Sequence, residues 1–263
     1  IHLHWYQGNV QVAQQALEVA AAALARARED VRITEIAGPI DIYLYGQKDD
    51  LQLALPAGLP PGTDALTLHG TRVVLVPLAP EAANIPDLKR ILPHEVTHAL
   101  LYEATRRDFD RVPLWLVEGL ATSIQHEFVP DPGAHMLLRE ALARDELIDV
   151  NTLCATMPDD WPRARLAYLQ SASLVEYMRG VYGRQALQDL VAAYADGVTC
   201  ESGVQRVFGL SLDRLETAWR ESLAPRGGWD RFWQTNGAWL VLLVALGGVS
   251  LSFVRPKALW RSI

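Results

Sequence analysis

The chain has 263 residues, half of them hydrophobic, and carries a formal net charge of −7 at pH 7. That length fits one large domain or two small ones, and the apolar content is enough to bury a substantial core. The acidic balance, and the lack of any basic cluster interleaved with aromatic residues, exclude a general nucleic-acid-binding protein.

The first third of the chain predicts a mixed arrangement of strands and helices. Alternating or β-branched apolar residues predict three strands, at Ile1–Tyr6, Ile40–Tyr45 and Arg72–Pro77. Apolar residues at helical spacing predict a long amphipathic helix over Val12–Arg28, and Lys48–Leu55 fits a short helix. Pro77 and Pro80 end the third strand, and a proline at that position favours the edge of a sheet.

Two histidines lie in the first predicted strand. His2 and His4 are two residues apart, so they share one face of that strand. Such a pair can bind a metal ion, but the sequence places no third ligand near them. We therefore expect ordinary surface or half-buried histidines.

The next helix is predicted to begin at Asn84, which is suited to cap it. Pro86 lies near the first helical position, and Asp87 favours a helix N-terminus. Pro93 removes one backbone hydrogen bond further along, so we allow that the regular helix begins only near Pro93.

The same helix carries an H-E-x-x-H motif, at His94, Glu95 and His98. Residues four apart on a helix lie one above the other, so the two imidazoles can aim at one point. Two imidazoles at this spacing suit a zinc ion. Glu95 between them can act as general base on a zinc-bound water.

A catalytic zinc also needs a third protein ligand and an open position for water. The longer metzincin pattern and the inverted H-x-x-E-H pattern are both absent. The best candidate is Glu118, twenty residues after His98, because a turn through Asp108–Pro113 would return the next helix beside the pair. Glu118 could instead be a capping or surface acid. The other candidates are Glu103, Asp108 and His126.

The last two-thirds of the chain predict helices. They are expected at Leu114–Ile124, Ala134–Ala143, Ala164–Arg179, Arg184–Tyr194, Glu201–Phe208 and Leu212–Leu223. The predicted fold is therefore α+β, with a small N-terminal mixed sheet packed on the motif helix and a mostly helical C-terminal half. Cys154 and Cys200 could form one disulfide or remain two free thiols.

The end of the chain predicts a membrane anchor. Residues 237–254 carry no charge, tryptophans precede them, and Arg255, Lys257 and Arg261 follow. A buried core helix is the alternative. The positive-inside rule makes 255–263 a cytoplasmic tail, 225–236 a linker and 1–224 a domain outside the cell membrane. A disulfide is more plausible in that location.

The H-E-x-x-H motif together with the Trp115–Ala121 segment resembles the gluzincin metallopeptidases, most closely the bacterial peptidase MA-like domains. The resemblance implies a zincin-like fold, zinc on His94, His98 and Glu118, and Glu95 as general base. The likeness covers roughly Ile1–Leu223. It continues through short matches at Ala167–Ser173, Tyr182–Gly183, Phe208–Leu212 and Trp219.

Two further positions follow from this resemblance. Related gluzincins use a Tyr or His after the glutamate ligand to stabilise the oxyanion, which assigns that role to Tyr168; a core tyrosine is the alternative. Gln170 and Ser171 are weaker candidates. Thermolysin-like enzymes place an Asp four residues after the third ligand, where this chain has Thr122.

These observations predict a membrane-anchored, zinc-dependent peptidase acting on peptide or protein substrates. The lack of the Gly-x-Met-Glu-Asn signature of related aminopeptidases favours an endopeptidase. The Arg72–Pro77 strand is expected at the cleft edge, pairing with an extended substrate, so that Val74 and Val76 would influence substrate choice. Two alternatives stay open: a catalytically inactive zincin-like domain acting as an extracytoplasmic binding module, and a membrane-anchored structural or adhesion module with a chance motif.

Overall fold

The computed structural model describes residues 1–33, 36–55 and 65–224, without the side chains of Ala54 and Arg107. Residues Ile1–Leu223 form one compact unit. The predicted linker, transmembrane helix and basic tail, at 225–263, lie outside the described residues. Among the residues that are described, no helix is both long and apolar enough to span a bilayer.

A four-stranded sheet opens the chain. Its strands are β1 (His2–Trp5), β2 (Asp41–Leu44), β3 (Leu66–Thr67) and β4 (Val73–Val76). Their order across the sheet is β1-β2-β4-β3. β1, β2 and β4 run parallel, with helices α1 (Val10–Asp30) and α2 (Lys48–Ala54) in the connections, and β3 pairs antiparallel with β4.

The third predicted strand does not lie at the edge of the sheet, so that prediction is wrong. The strand predicted at Arg72–Pro77 is β4, and it lies inside the sheet because the short strand β3 covers its other side. A tight turn between β3 and β4 reverses the chain. In this turn the Thr71 amide donates to the Leu68 carbonyl at 3.0 Å, and Gly70 has φ +73°. Val74 and Val76 are buried in the core, so they cannot select substrate residues.

Helix α3 (Ile85–Thr105) carries the motif. It is continuous through Pro93, so the expectation that regular helix begins only near Pro93 is wrong. Asn84 precedes the helix, but its side chain donates to the Ala79 carbonyl at 2.9 Å instead of capping. Thr97 Oγ1 donates to the Pro93 carbonyl at 2.7 Å, which adds a side-chain bond in the turn that follows the proline.

Two apolar cores lie on either side of α3. One side, including Leu92, Val96 and Ala99, packs with α1 against the inner face of the sheet. The other side, including Leu100 and Leu101, packs in a larger helical core. That core is built from α4 (Leu114–Phe128), α5 (Ala134–Ala143), α6 (Trp161–Ala195), α7 (Cys200–Phe208) and α8 (Leu212–Leu223). The predicted α+β arrangement, with a small sheet followed by helices, is confirmed.

The two helices predicted at Ala164–Arg179 and Arg184–Tyr194 form one element, α6. It is interrupted only at Gly183, where φ is +83° and ψ is 166°.

Cys154 and Cys200 form a disulfide, with their Cα atoms 6.1 Å apart. Trp115 Nε1 donates to Cys200 Sγ at 3.3 Å, so the bridge also contacts helix α4.

Gly119 allows α4 and α6 to approach closely. A Cβ at this position would lie 2.6 Å from the Ser171 carbonyl oxygen and 2.8 Å from Val175 Cγ2. We expect Gly119→Ala to lower the free energy of unfolding by about 1–3 kcal/mol, because the backbones must move apart. Urea denaturation checks this.

Gly180→Ala is the matched control for this prediction. Gly180 is also helical, but a Cβ there meets nothing within 4 Å. Alanine has the higher helix propensity, so this change should raise the free energy of unfolding by up to about 1 kcal/mol. Similar effects of the two substitutions would contradict the close-approach argument.

Candidate functional site

The three predicted metal ligands meet between α3 and α4. His94 Nε2 lies 3.4 Å and His98 Nε2 lies 3.6 Å from the same oxygen, Glu118 Oε2. The two imidazole rings have centroids 4.6 Å apart and are nearly perpendicular. Each of the three side chains is less than one-fifth exposed. Their nitrogen and oxygen atoms therefore converge on one shielded point.

These separations suit a tetrahedral metal ion. Bonds of about 2.0–2.2 Å to nitrogen and oxygen place two ligand atoms about 3.3–3.6 Å apart. Glu118 Oε2 is also buried with no hydrogen-bond partner, as is His94 Nδ1. A buried carboxylate oxygen without a donor is costly unless another positive group satisfies it. The three residues thus fit a zinc ion in the type of their donor atoms and in their spacing. A bound zinc ion would also satisfy the buried Glu118 oxygen, which has no hydrogen-bond donor.

The local fold explains why Glu118 reaches the motif. A 3-10 turn at Arg106–Arg111 follows α3, and α4 then runs back along it. Trp115, Leu116 and Leu120 on α4 are fully buried in the helical core. Packing of these apolar residues fixes the rotation of α4 and presents Glu118 toward α3.

The charges of the three residues are coupled. Burial opposes ionisation of Glu118, but the neighbouring His98 and His94 outweigh it and hold the pKa of the carboxyl below its usual value. Burial lowers the pKa of His98 and favours the neutral ring, which is the metal-binding form. Burial also disfavours a charged His94, yet its contact with Glu118 raises the pKa of that ring.

Glu95 lies beside this point and is bound by a residue that sequence reasoning missed. Thr67 Oγ1 donates to Glu95 Oε2 at 2.6 Å and also lies 3.1 Å from the Glu95 carbonyl oxygen. Glu95 is only 8% exposed. Thr67 belongs to β3, so the edge strand contacts the motif directly. No sequence signal marked it, because β3 has only two residues.

Tyr168 reaches the same cleft from α6. Its ring centroid is 6.3 Å from that of His94. Burial, together with the nearby carboxylates of Glu118 and Glu95, raises the pKa of Tyr168 to about 12. The phenol therefore stays protonated at neutral pH and remains a hydrogen-bond donor.

The weaker candidates on α6 do not reach the cleft. Gln170 exchanges hydrogen bonds with the Ile148 backbone, which marks it as a structural residue. Ser171 is buried and does not line the cleft. Its carbonyl faces Gly119 at the α4–α6 crossing.

The alternative third ligands lie elsewhere. Glu103 binds the Ala37 amide together with Arg72 and Arg106. Asp108 lies 3.6 Å from Arg111. His126 lines a separate pocket of about 240 Å³, together with residues of α5 and α6.

Thr122, in the place of the thermolysin-like Asp, is buried and makes no described bond to a ligand histidine. Burial opposes protonation of His94, and Glu118 is the main group that raises its pKa; Gln125, one turn after Thr122 on α4, adds a smaller contribution in the same direction. His94 Nδ1 nevertheless lacks a hydrogen bond of standard geometry.

The cleft around these residues has a volume of about 330 Å³. The β3–β4 turn forms one wall, and Leu114 and Val117 of α4 and Tyr102 of α3 form apolar parts of the others. A concave, largely apolar cleft with a few convergent polar groups is typical of a substrate site.

Thr67→Val should weaken any activity that depends on Glu95. Valine keeps the shape of threonine but cannot donate to the carboxylate. A hydrogen bond to a charged group contributes roughly 1.5–3 kcal/mol, so we expect kcat to fall about 10- to 100-fold with little change in KM. Steady-state kinetics check this. Thr67→Ser should retain most of the activity, and equal losses in both variants would contradict the positioning role.

Comparison with known proteins adds a family. The model of the Peptidase MA superfamily matches residues 19–225. The YhcO protein of Bacillus subtilis (strain 168), described as uncharacterized, is 25% identical over 197 residues. The match covers 68% of this chain and 56% of YhcO, so the chain spans little more than half the length of that relative. No solved structure matches the chain significantly.

Proposed function

The chain belongs to the Peptidase MA superfamily, and from this premise we propose that it is a zinc-dependent peptidase of the gluzincin type. His94, His98 and Glu118 are the proposed zinc ligands, and Glu95 is the proposed general base. The observation that carries the proposal is the convergence of both Nε2 atoms on Glu118 Oε2, at 3.4 and 3.6 Å, with Glu95 in the same cleft.

Each residue has a distinct task in peptide hydrolysis. When bound, zinc would act as a Lewis acid that polarises the scissile carbonyl and lowers the pKa of a water molecule. Glu95 takes the proton from the attacking water and delivers it to the leaving amine. The Tyr168 hydroxyl donates a hydrogen bond to the carbonyl oxygen as negative charge develops there. Thr67 holds the Glu95 carboxylate in one orientation.

The substrate is proposed to lie along β3. This strand is the last of the described sheet on that side, and residues Ala65–Thr71 line the cleft. An extended peptide can pair with such an edge through its main chain. This assignment replaces the one expected for Arg72–Pro77. We favour an endopeptidase, since the sequence lacks the aminopeptidase signature.

Zinc analysis combined with a cleavage assay tests the proposal. A mixture of denatured proteins serves as substrate, because unfolded chains expose many different peptide bonds to the enzyme. The zinc-loaded wild-type chain should cleave it, a chelator should stop cleavage, and added zinc should restore it. His98→Ala should lose one zinc ion per chain together with all activity.

Two outcomes would contradict the proposal. Cleavage that persists in His98→Ala without its zinc would exclude the metal mechanism. A wild-type chain that binds zinc at His98 but cleaves nothing would favour the inactive zincin-like binding module.

We also propose that the domain lies outside the cytoplasm, held at the cell membrane by residues 237–254. The Cys154–Cys200 bridge supports this, because disulfides persist mainly in oxidising compartments. The anchor itself depends on the sequence pattern alone. Protease added to intact cells should digest residues 1–224 and spare the tail; a fully protected domain would contradict this location.

A further inference from the structure

A second group of potential metal ligands lies on the sheet, apart from the cleft. His2 and His4 are in β1, and parallel pairing places Asp41 of β2 directly beside His2. Asp41 Oδ1 lies 2.9 Å from His4 Nε2 and 3.4 Å from His2 Nδ1. Strand register therefore supplies the third ligand that the sequence did not place near the two histidines.

The two histidines are exposed, and Asp41 is half-buried. The His4 ring stacks on Tyr43, with centroids 4.4 Å apart and planes within 12°, while its Nε2 faces Asp41. The His2 side chain is 62% exposed, so its ring can rotate at little cost. One ligand atom from each residue lies within 4.8 Å of the others. Metal bonds of about 2.0–2.2 Å span up to about 4 Å between ligands, so a small rotation of His2 closes the site.

We propose that His2, His4 and Asp41 bind one divalent transition-metal ion of the zinc, copper or nickel class. Imidazole nitrogens suit these borderline ions, and a carboxylate adds charge. Three ligands leave at least one position to water, and the exposure of the site makes the ion exchangeable. Bound metal joins β1, the last strand on this side of the described sheet, to β2 through their side chains.

This site is independent of the proposed peptidase centre. β2 and β4 separate β1 from β3, which contacts Glu95. At about 4.8 Å per strand, β1 lies roughly 14 Å from β3. Either site can therefore be removed without touching the other.

The same contacts also fit a simple histidine–carboxylate ion pair, and the chain offers an internal example of one. His69 Nε2 lies 2.8 Å from Asp110 Oδ1, and both side chains are largely exposed. His69 and Asp110 belong to neither of the two groups with three potential ligands found among the described residues. His69→Ala is thus the matched control for His4→Ala.

Equilibrium dialysis of the chelator-stripped chain against Zn²⁺, with metal analysis of the protein, tests the proposal. The His94→Ala/His98→Ala chain should still bind one zinc ion. Adding either His4→Ala or Asp41→Ala should remove it, and adding His69→Ala should not. Zinc should raise the thermal midpoint of the His94→Ala/His98→Ala chain, and this shift should vanish with His4→Ala.

Single variants keep the test decisive if the His94→Ala/His98→Ala chain does not fold. The wild-type chain should then bind two zinc ions and His4→Ala one. Zinc bound only through His94 and His98, or retained in full by His4→Ala, overturns the surface site. Zinc lost with His4→Ala but unaffected by His98→Ala supports the surface site and contradicts the proposed peptidase centre instead.

Discussion

Glu95→Gln is expected to lower the kcat/KM for peptide cleavage by about 10²- to 10⁴-fold, the range that a general base contributes. The amide cannot accept the proton of the attacking water. It keeps the size of the carboxylate, and its oxygen can still accept the hydrogen bond from Thr67, which lies 2.6 Å from Oε2 in the wild-type protein. The cleft should therefore keep its shape, and zinc content should be unchanged.

Asp87→Asn is the matched control for this prediction. Asp87 lies on the same helix, but its side chain is 54% exposed and is two turns away from the motif. We expect wild-type kinetics from it. Cleavage rates, zinc content and the thermal midpoint should be measured on both variants, so that a loss of chemistry is separated from a loss of metal or of fold.

Full activity in Glu95→Gln would exclude the proposed role of this residue even if zinc binding were confirmed. A loss of zinc together with activity would mean that Glu95 supports the metal centre instead of handling the proton. Inactivity with zinc retained is the expected pattern, and it distinguishes an enzyme from a binding module, which has no need of Glu95.

The part of the site that could be predicted from the sequence is the part carried by two consecutive helices. His94 and His98 share a helix face whatever the rest of the chain does. A short 3-10 turn at Arg106–Arg111 connects α3 to α4, and α4 packs along α3. This packing places Glu118 Oε2 3.4 Å from His94 Nε2. Helices α5 and α8 also begin and end where their amphipathic patterns predict, at Ala134–Ala143 and Leu212–Leu223.

What could not be predicted depends on pairing between distant strands. Thr67 contacts Glu95 only because a two-residue strand pairs with β4 and reaches the motif helix. Asp41 meets His2 and His4 only through the register between β1 and β2. A stretch as short as β3 has no periodic pattern. Alternation along a strand fixes which face a side chain lies on, but not which residue of a distant strand lies beside it. The edge position expected for β4 rests on Pro77 and Pro80, and these prolines do not reveal that β3 pairs with the other side of β4.

Pro93 disrupts the local helix less than the chemistry of proline alone predicts. Pro93 does remove a backbone bond, yet α3 continues because both of its sides are packed, one against the sheet and one against the helical core. Tertiary packing of this kind outweighs the roughly 3 kcal/mol cost of one internal proline. The motif therefore lies in the middle of a helix, held on both sides, and not at its start.

Asp30→Ala is expected to lower the free energy of unfolding by about 3–5 kcal/mol, the cost of leaving buried charge without its partner. Asp30 ends α1 and is fully buried. Its Oδ2 lies 2.6 Å from Arg179 and 3.1 Å from Arg26, and its Oδ1 lies 3.2 Å from Arg184. The residue thus joins α1 to α6.

The same arginines extend the connection to α4, which carries Glu118. Arg26 donates two hydrogen bonds of 2.6 Å to Glu127, and Arg179 lies 3.6 Å from the same carboxylate. Arg26 and Arg179 are each less than one-fifth exposed, so water replaces Asp30 poorly when it is removed. The ion pairs around Asp30 therefore hold together α1, α4 and α6, and two of these helices, α4 and α6, carry residues of the candidate site.

Glu29→Ala is the matched control, and urea denaturation is the measurement. Glu29 precedes Asp30 on α1 and pairs with Arg184, but it is half exposed, so its loss should change the free energy of unfolding by no more than about 1 kcal/mol. Asp30→Leu combined with Arg179→Met should cost less than Asp30→Leu alone, because it removes charge from both sides of the pair. If the double variant is the less stable one, lost packing and not uncompensated charge governs this region.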